Sequence, residues 1–287
     1  MFNKLENLGL SGKMLRTLLS IYSRVQCCVK LNDFYTDWFD VNTGLKQGCK
    51  LPPLLLSLFI NDLVEELKKL NIGIQIGDEK VCILLYADDV VLLAENETEL
   101  QLLLDVLNSW CCKNDLEVNY DKSKIVHFRN QSRIVTSKDF HIGDTTIEIV
   151  TKYNYLGLVI TEFLDYNVMA KAVAMSASRA LGLSIAKCKL NGGFIVNTYT
   201  TLYDSLVWST ISYGAAIWGT NEYSCINAVQ NRAMRFYLGV GKYTANISVI
   251  GDMRWKPYII RQWSCVLRNW CTKMDSTQLN KKVFLGQ

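Results

Sequence analysis

The sequence is short of proline: three in 287 residues, with Pro52 and Pro53 adjacent. Proline-rich spacers and long irregular linkers are thereby excluded. It has only two histidines, His127 and His141. Both alternate with apolar neighbours, the setting of a structural histidine rather than a ligand. The ten cysteines include no C-x-x-C pair, which argues against a zinc knuckle. Cys49 and Cys82 sit in apolar surroundings and read as small buried hydrophobes. No apolar run reaches the ~18 residues of a membrane span, because Asp88-Asp89 or Ser/Thr break the nearest candidates. No membrane partner is expected. No secretory leader pattern precedes the cysteines, so a reduced intracellular compartment is expected, with nucleus and cytoplasm both open.

What is present is globular: 49% hydrophobic and 20% charged residues, enough for one large or two ordinary domains. The net charge of +4 conceals an asymmetry. Residues 1–160 carry 17 Lys+Arg against 21 Asp+Glu, whereas residues 161–287 carry 14 against 6. The second half could face a polyanion, and a solvated basic helix surface explains the same charge.

Periodicity orders the chain. Leu15, Leu18, Leu19 and Tyr22 form a helical stripe within residues 5–30, with Ser11-Gly12 as a start. Residues 34–43 read as extended. Gly44 to Cys49 is a polar loop bounded by glycines. Pro52-Pro53 suit the first turn of a helix, where a missing N–H costs nothing. Leu56, Phe59, Ile60, Leu63, Leu67 and Leu70 carry that helix to about residue 70. Thr98 and Gln101 fit a capping box for a helix over 99–113. Strands are expected at 116–119, 123–128 and 154–160, and a hairpin at 140–150 turning at Gly143-Asp144. Past residue 163 the pattern becomes helical, over about 165–189, 195–213 and 222–238, with Asn191-Gly192-Gly193 breaking the first two.

The sharpest feature is Tyr86-Ala87-Asp88-Asp89, set between the apolar runs 81–86 and 90–94. It reads as a β-hairpin with acids at its tip. Two adjacent carboxylates beside apolar strands are costly unless cations or donors meet them. Hard oxygen ligands at a turn suit Mg²⁺, which accepts one or two carboxylates plus phosphate oxygens. Two such ions can activate a 3′-hydroxyl and steady a leaving phosphate oxygen. A solvent-exposed Asp-Asp turn is the plain alternative. The flanking runs favour the metal reading, because they are expected to bury both strands and hold the acids rigidly.

Five segments, in order, carry a family resemblance over about residues 5–215. Tyr86-Ala87-Asp88-Asp89 looks like the Y-x-D-D box of reverse transcriptases. Gly44-Leu45-Lys46-Gln47-Gly48-Cys49 resembles their G-x-x-Q-G-C box, and Asn61-Asp62 the I-N-D end of the following helix. Leu116-Glu117-Val118-Asn119 with Lys122 and Lys124 resembles the later N-x-x-K-T/S-K segment. Tyr155-Leu156-Gly157 resembles the Y-L-G of the primer-grip hairpin. Leu202-Tyr203-Asp204-Ser205, Ser212-Tyr213-Gly214 and Trp218-Gly219 are similar to phrases of LINE-like, non-LTR elements.

The resemblance implies an α+β fold: a palm-type sheet with helices on one face, then an α-helical thumb-like region. It implies Asp88 as the main Mg²⁺ ligand and Asp89 as the weaker second. Gln47 and Gly48 would shape the pocket for the incoming nucleotide and template base, with Tyr86 and the Tyr155-Leu156-Gly157 turn also touching substrate. Lys122 would stand near the triphosphate as a proton donor to pyrophosphate. An exposed strand flank is the alternative reading of Lys122 and Lys124.

Two departures stand out. The family's earlier box holds another aspartate, which bridges both metals, on a strand before the opening helix. Met1 falls just after that place, and Asp33, Asp37 and Asp40 lie on the wrong side of the helix to replace it. The family's G-C-P-L-S-P reads here Gly48-Cys49-Lys50-Leu51-Pro52-Pro53. The expectation is therefore an N-terminally truncated reverse transcriptase: a partial palm over 1–162, a thumb-like region over 163–250 and a helical extension over 251–287. In the intact element it would copy an RNA template from a DNA primer with dNTPs and Mg²⁺. Alone, the chain would be inactive. The competing expectation is a non-catalytic nucleic-acid-binding remnant that grips phosphates with its basic half. Trp208, Trp218, Trp255 and Trp263 would then stack on bases, or else pack a helical core.

Overall fold

The computed structural model describes residues 2–23, 25–41 and 51–274. The chain forms two compact units, one of residues 1–118 and 141–145, the other of residues 119–140 and 146–287.

The first unit opens with α1 (Phe2–Asn7) and α2 (Gly12–Tyr22) rather than the single helix predicted over 5–30. Gly9 explains the break. Its φ of 87° takes the chain out of the helix, and the Leu10 N–H donates back to the Leu5 carbonyl at 3.0 Å, a Schellman-type close. A narrow ribbon follows Tyr22. It nests β2 (Lys30–Leu31) and β3 (Phe34–Tyr35) inside β1 (Gln26–Cys27) and β4 (Phe39–Asp40).

Helix α3 (Leu51–Lys69) holds Pro52 and Pro53 in its first turn, as predicted. Two hairpins come next, β5 (Ile74–Ile76) with β6 (Glu79–Val81), and β7 (Ile83–Tyr86) with β8 (Asp89–Leu92). Helix α4 (Glu97–Lys113) closes the group. Its cap is Asn96, two residues before the predicted Thr98. Asn96 has extended backbone, and its side chain accepts from the Glu99 N–H at 2.9 Å. The Glu99 carboxylate in turn accepts from the Glu95 N–H at 3.2 Å. The stripe of α3 (Ile60, Leu63, Leu67) meets Cys82 and the α4 residues Leu103, Leu107 and Trp110. Leu67 and Leu103 are 0% exposed, and burying each stabilises the unit by about 1.5–3 kcal/mol.

A third hairpin, β9 (Phe140–Ile142) with β10 (Thr145–Ile147), turns at Gly143-Asp144 as predicted. The strands predicted at 116–119 and 123–128 do not form. Only an isolated bridge joins Ile125 to Ile149. Asn119 accounts for this. Its side chain accepts from the Lys122 N–H at 3.1 Å and its carbonyl from the Ser123 N–H at 3.0 Å. Local bonding of this kind bends the backbone away from a ladder. The strand predicted at 154–160 is instead a tight hairpin of β11 (Lys152–Tyr155) and β12 (Leu158–Thr161).

Helices fill the rest: α5 (Asn167–Leu190), α6 (Val196–Leu202), a π-helical turn (Tyr203–Trp208), α7 (Ser209–Ser212), α8 (Ala215–Trp218), α9 (Ser224–Leu238), α10 (Asn246–Met253) and α11 (Tyr258–Met274). Ala170, Ala174 and Ala177 of α5 are buried in a core shared with Ile226, Val229, Ala233 and Met234 of α9. The π-turn has a sequence cause. Tyr199, Tyr203, Val207 and Ile211 are all buried, spaced by four residues. In a 3.6-residue helix that stripe would drift by about 40° per repeat. The wider π-turn keeps it on one face.

By length and composition α5 could cross a membrane, with a mean hydropathy of 1.2 over its most apolar window. It is the one such helix among the described residues. It is also the central helix of this core. The whole is a mixed α/β arrangement, small antiparallel two-stranded sheets followed by helices.

Candidate functional site

The β7–β8 register runs from Ile83↔Leu92 to Tyr86↔Asp89. Ala87 and Asp88 therefore make a two-residue loop, and Asp89 is the first residue of the returning strand. Both aspartates are exposed. Ala87 lies in the left-handed region at φ 54°, a conformation that costs an L-residue about 1–2 kcal/mol. Such strain persists only where the surroundings impose it, and it concentrates at functional sites.

One expectation is corrected. The flanking runs do not bury both strands: Leu84, Leu85 and Tyr86 are 46%, 38% and 63% exposed. The sheet has two strands, and helices cover only its base, through Cys82, Ile83 and Leu92. Among the described residues no group of three or more His, Cys, Asp or Glu could hold a metal ion. The two carboxylates fit a single Mg²⁺ that takes one or two protein oxygens and completes its shell with phosphate and water. They do not by themselves fix two ions.

A polar strut that sequence reasoning missed ties α1, α3 and α4 together. Asp62 of α3 accepts from the Trp110 Nε1–H of α4 at 2.9 Å and pairs with the Lys4 ammonium of α1 at 2.6 Å. Lys4 also donates to the Phe59 carbonyl at 3.1 Å and lies over the Phe59 and Trp110 rings, 4.1 and 4.8 Å from their centroids. Asp62 had a signal, the Asn61-Asp62 box. Lys4 and Trp110 had none.

The other expected site residues fall in the second unit or outside the described residues, as Gln47 and Gly48 do. Lys122 is exposed, and its carbonyl accepts from the Tyr153 hydroxyl of β11 at 2.9 Å. The 119–124 segment is thus tied to the β11–β12 hairpin. Lys124 pairs with Glu148 at 3.1 Å. Tyr155 and Leu158 face each other across the hairpin, and Leu156 and Gly157 turn it with φ of 49° and 77°. Positive φ at both positions is the I′ geometry that suits twisted strands.

In the helical region Arg179, Lys187, Lys189 and Arg232 are exposed. Arg235 is half-buried instead, because its guanidinium bonds the Thr244 carbonyl at 2.9 Å. Trp218 and Trp255 are core residues. Trp208 is half-buried beneath the Arg261 guanidinium, 3.9 Å from its ring centroid, while Arg261 also bonds Asp204 at 2.7 Å. Of the four, Trp263 is exposed. Burial pushes the phenols of Tyr199, Tyr203 and Tyr258 up, Tyr258 to about 12. It also pushes up the thiols of Cys82 and Cys111, which makes them inert packing groups.

The family model described as reverse transcriptase (RNA-dependent DNA polymerase) matches residues 1–160. The chain belongs to that family. The RNA-directed DNA polymerase from mobile element jockey of Drosophila melanogaster is 24% identical over 75% of this chain and 24% of its own length. The probable RNA-directed DNA polymerase from transposon BS of the same fly is 26% identical over 78% of the chain and 25% of its length. The Pol polyprotein of the type-2 retrotransposable element R2DM is 30% identical over 41% of the chain and 12% of its length. The chain thus spans a quarter or less of these relatives. The relatives fix the kind: a reverse transcriptase domain of the non-LTR, LINE-like type.

Proposed function

We propose that this chain supplies the palm-to-thumb part of an RNA-templated DNA polymerase, over residues 1–162 and 163–250, with a helical extension over 251–287. Asp88 and Asp89 would hold Mg²⁺, which when bound supplies charge neutralisation at the transferred phosphoryl group. Tyr86 would border the nucleotide, and Gln47 and Gly48 the nucleotide and template base. Lys122 would hold a proton near the leaving pyrophosphate. Tyr155, Leu156 and Gly157 would touch the primer. The carrying observation is the Tyr86-to-Asp89 hairpin loop, with its strained Ala87, inside the family-matched residues.

A polypeptide of these 287 residues should not extend a primer detectably. Two-metal transfer needs ligands holding the ions about 3.5–4 Å apart, and Asp88 and Asp89 supply one side of such a site. Lost positioning costs powers of ten in rate. The test is primer extension on an RNA template with Mg²⁺ or Mn²⁺. Incorporation by the chain that Asp88→Asn abolishes would show that another carboxylate completes the site. Within a longer active protein carrying this chain, Asp88→Asn should abolish synthesis, and full activity there would refute the metal role.

The charge asymmetry favours one second reading, a non-catalytic nucleic-acid grip by the helical region. It predicts RNA binding that weakens steeply between low and moderate salt, without turnover. Affinity that stays flat across that range would exclude it.

A further inference from the structure

The phrase Ser212-Tyr213-Gly214 has no role in the reading above, yet it sits against the turn assigned to the primer. The Tyr213 hydroxyl donates to the Leu156 carbonyl at 2.7 Å. A Cβ on Gly157 would fall 3.1 Å from the Tyr213 ring, and a Cβ on Gly214 would fall 2.4 Å from the Leu158 side chain. Both glycines have positive φ, 77° and 61°. The Tyr213 carbonyl is in turn held by the indole N–H of Trp218 at 3.0 Å, and Trp218 is fully buried. A continuous strut therefore runs from the helical core through Tyr213 to the tip of β11–β12.

The tip needs such support. Its first turn residue is Leu156 at φ 49°, where Asn, Asp or Gly is the usual occupant. A leucine in this conformation stays there only if its surroundings hold it. The hydrogen bond to its carbonyl and the ring filling the space over Gly157 are the contacts that do so.

We infer that Tyr213 is a positioning residue that locks the Tyr155-Leu156-Gly157 turn onto the helical region and thereby sets where a recessed primer 3′ end is held. The inference rests on the proposed reading of that turn as a primer contact. It acts through Leu156 and requires no contact between Tyr213 and nucleic acid.

The test uses the 287-residue chain and Tyr213→Phe, which removes one oxygen and leaves the ring against Gly157, so the fold is kept. Two labelled probes are compared: an RNA template with a recessed DNA 3′ end, and a blunt RNA–DNA duplex of the same sequence. Wild type should prefer the recessed end. Tyr213→Phe should lower that preference by roughly two- to tenfold, the loss of one hydrogen bond, with blunt-duplex affinity and Tm unchanged. Amide exchange across residues 155–161 should quicken. An unchanged preference, or equal losses for both probes, would overturn the inference. If wild type shows no preference, the primer reading of the turn fails, and amide exchange alone then decides the lock: unchanged protection in Tyr213→Phe rejects it.

Discussion

Asp62→Ala should loosen the first unit without unfolding the second. The substitution removes two interactions of unequal weight. The Trp110 N–H belongs to a residue only 3% exposed, and without Asp62 it loses its acceptor at 2.9 Å. A hydrogen bond to a charged partner contributes about 1.5–3 kcal/mol. The Lys4 pair is shorter, at 2.6 Å, but the Asp62 side chain is 44% exposed, so solvent screening holds its share to about 0.5 kcal/mol. The expected total is about 2–3.5 kcal/mol. Asp62→Asn keeps an oxygen for Trp110 but loses the ion pair and the charge on that acceptor, so it should cost about 1–2 kcal/mol, less than Ala. Lys4→Met, combined with each, measures the pair directly as a coupling energy. The assay is amide exchange under native conditions with rising urea, read on peptides of α1, α3 and α4 and compared with α5 and α9. Asn as damaging as Ala would mean that charge, not the acceptor, holds the strut. Exchange unchanged in Asp62→Ala would refute it altogether.

Asn96→Ala should destabilise α4 by about 1 kcal/mol, seen as faster exchange at the amides of Glu97 to Leu100, with Asn96→Ser near wild type; unchanged exchange would return the cap to Thr98. Burial raises Tyr258 from its ordinary value near 10 to about 12, so the stability held by the neutral phenol is complete below pH 10 and is lost as pH rises through 12, because unfolded phenols ionise first. Alkaline titration followed by far-UV circular dichroism should therefore melt the helical region across that window, and a slope unaltered in Tyr258→Phe would show that this phenol does not contribute.

Much of the fold was legible because its causes are local. Two short apolar runs, 81–86 and 90–94, flank Asp88 and Asp89, the α3 stripe from Leu56 to Leu67 has period near 3.6, and prolines at 52 and 53 mark a helix start. What failed depended on choices that a pattern does not rank. Thr98 and Asn96 are both capping residues, and the extended backbone at Asn96 decided between them. Residues 116–128 alternate well enough for strands, but the Asn119 side chain bends them into turns. Burial of the acidic hairpin was misjudged because it depends on how many neighbours a sheet has, which its own residues do not encode. The site was half legible. The family boxes mark Asp88, Asp89, Lys122 and the Tyr155 turn, whereas Lys4, Trp110 and Tyr213 matter through contacts with elements distant in sequence.

The π-turn at Tyr203–Trp208 ties the gene to the geometry in a way that coding rules overlook. The wide turn holds about one residue more than an ordinary one, so deleting one codon there would keep the reading frame, return the run to α winding and leave the total rotation almost unchanged. Tyr213, five residues past the turn, would still meet Leu156, and Gly214 Leu158. The same one-codon loss within Val196–Leu202, already wound as an α-helix, would turn everything after it by about 100° and unlatch the hairpin tip, whereas exchanging Leu206 or Ser205, both exposed, would leave the latch in phase.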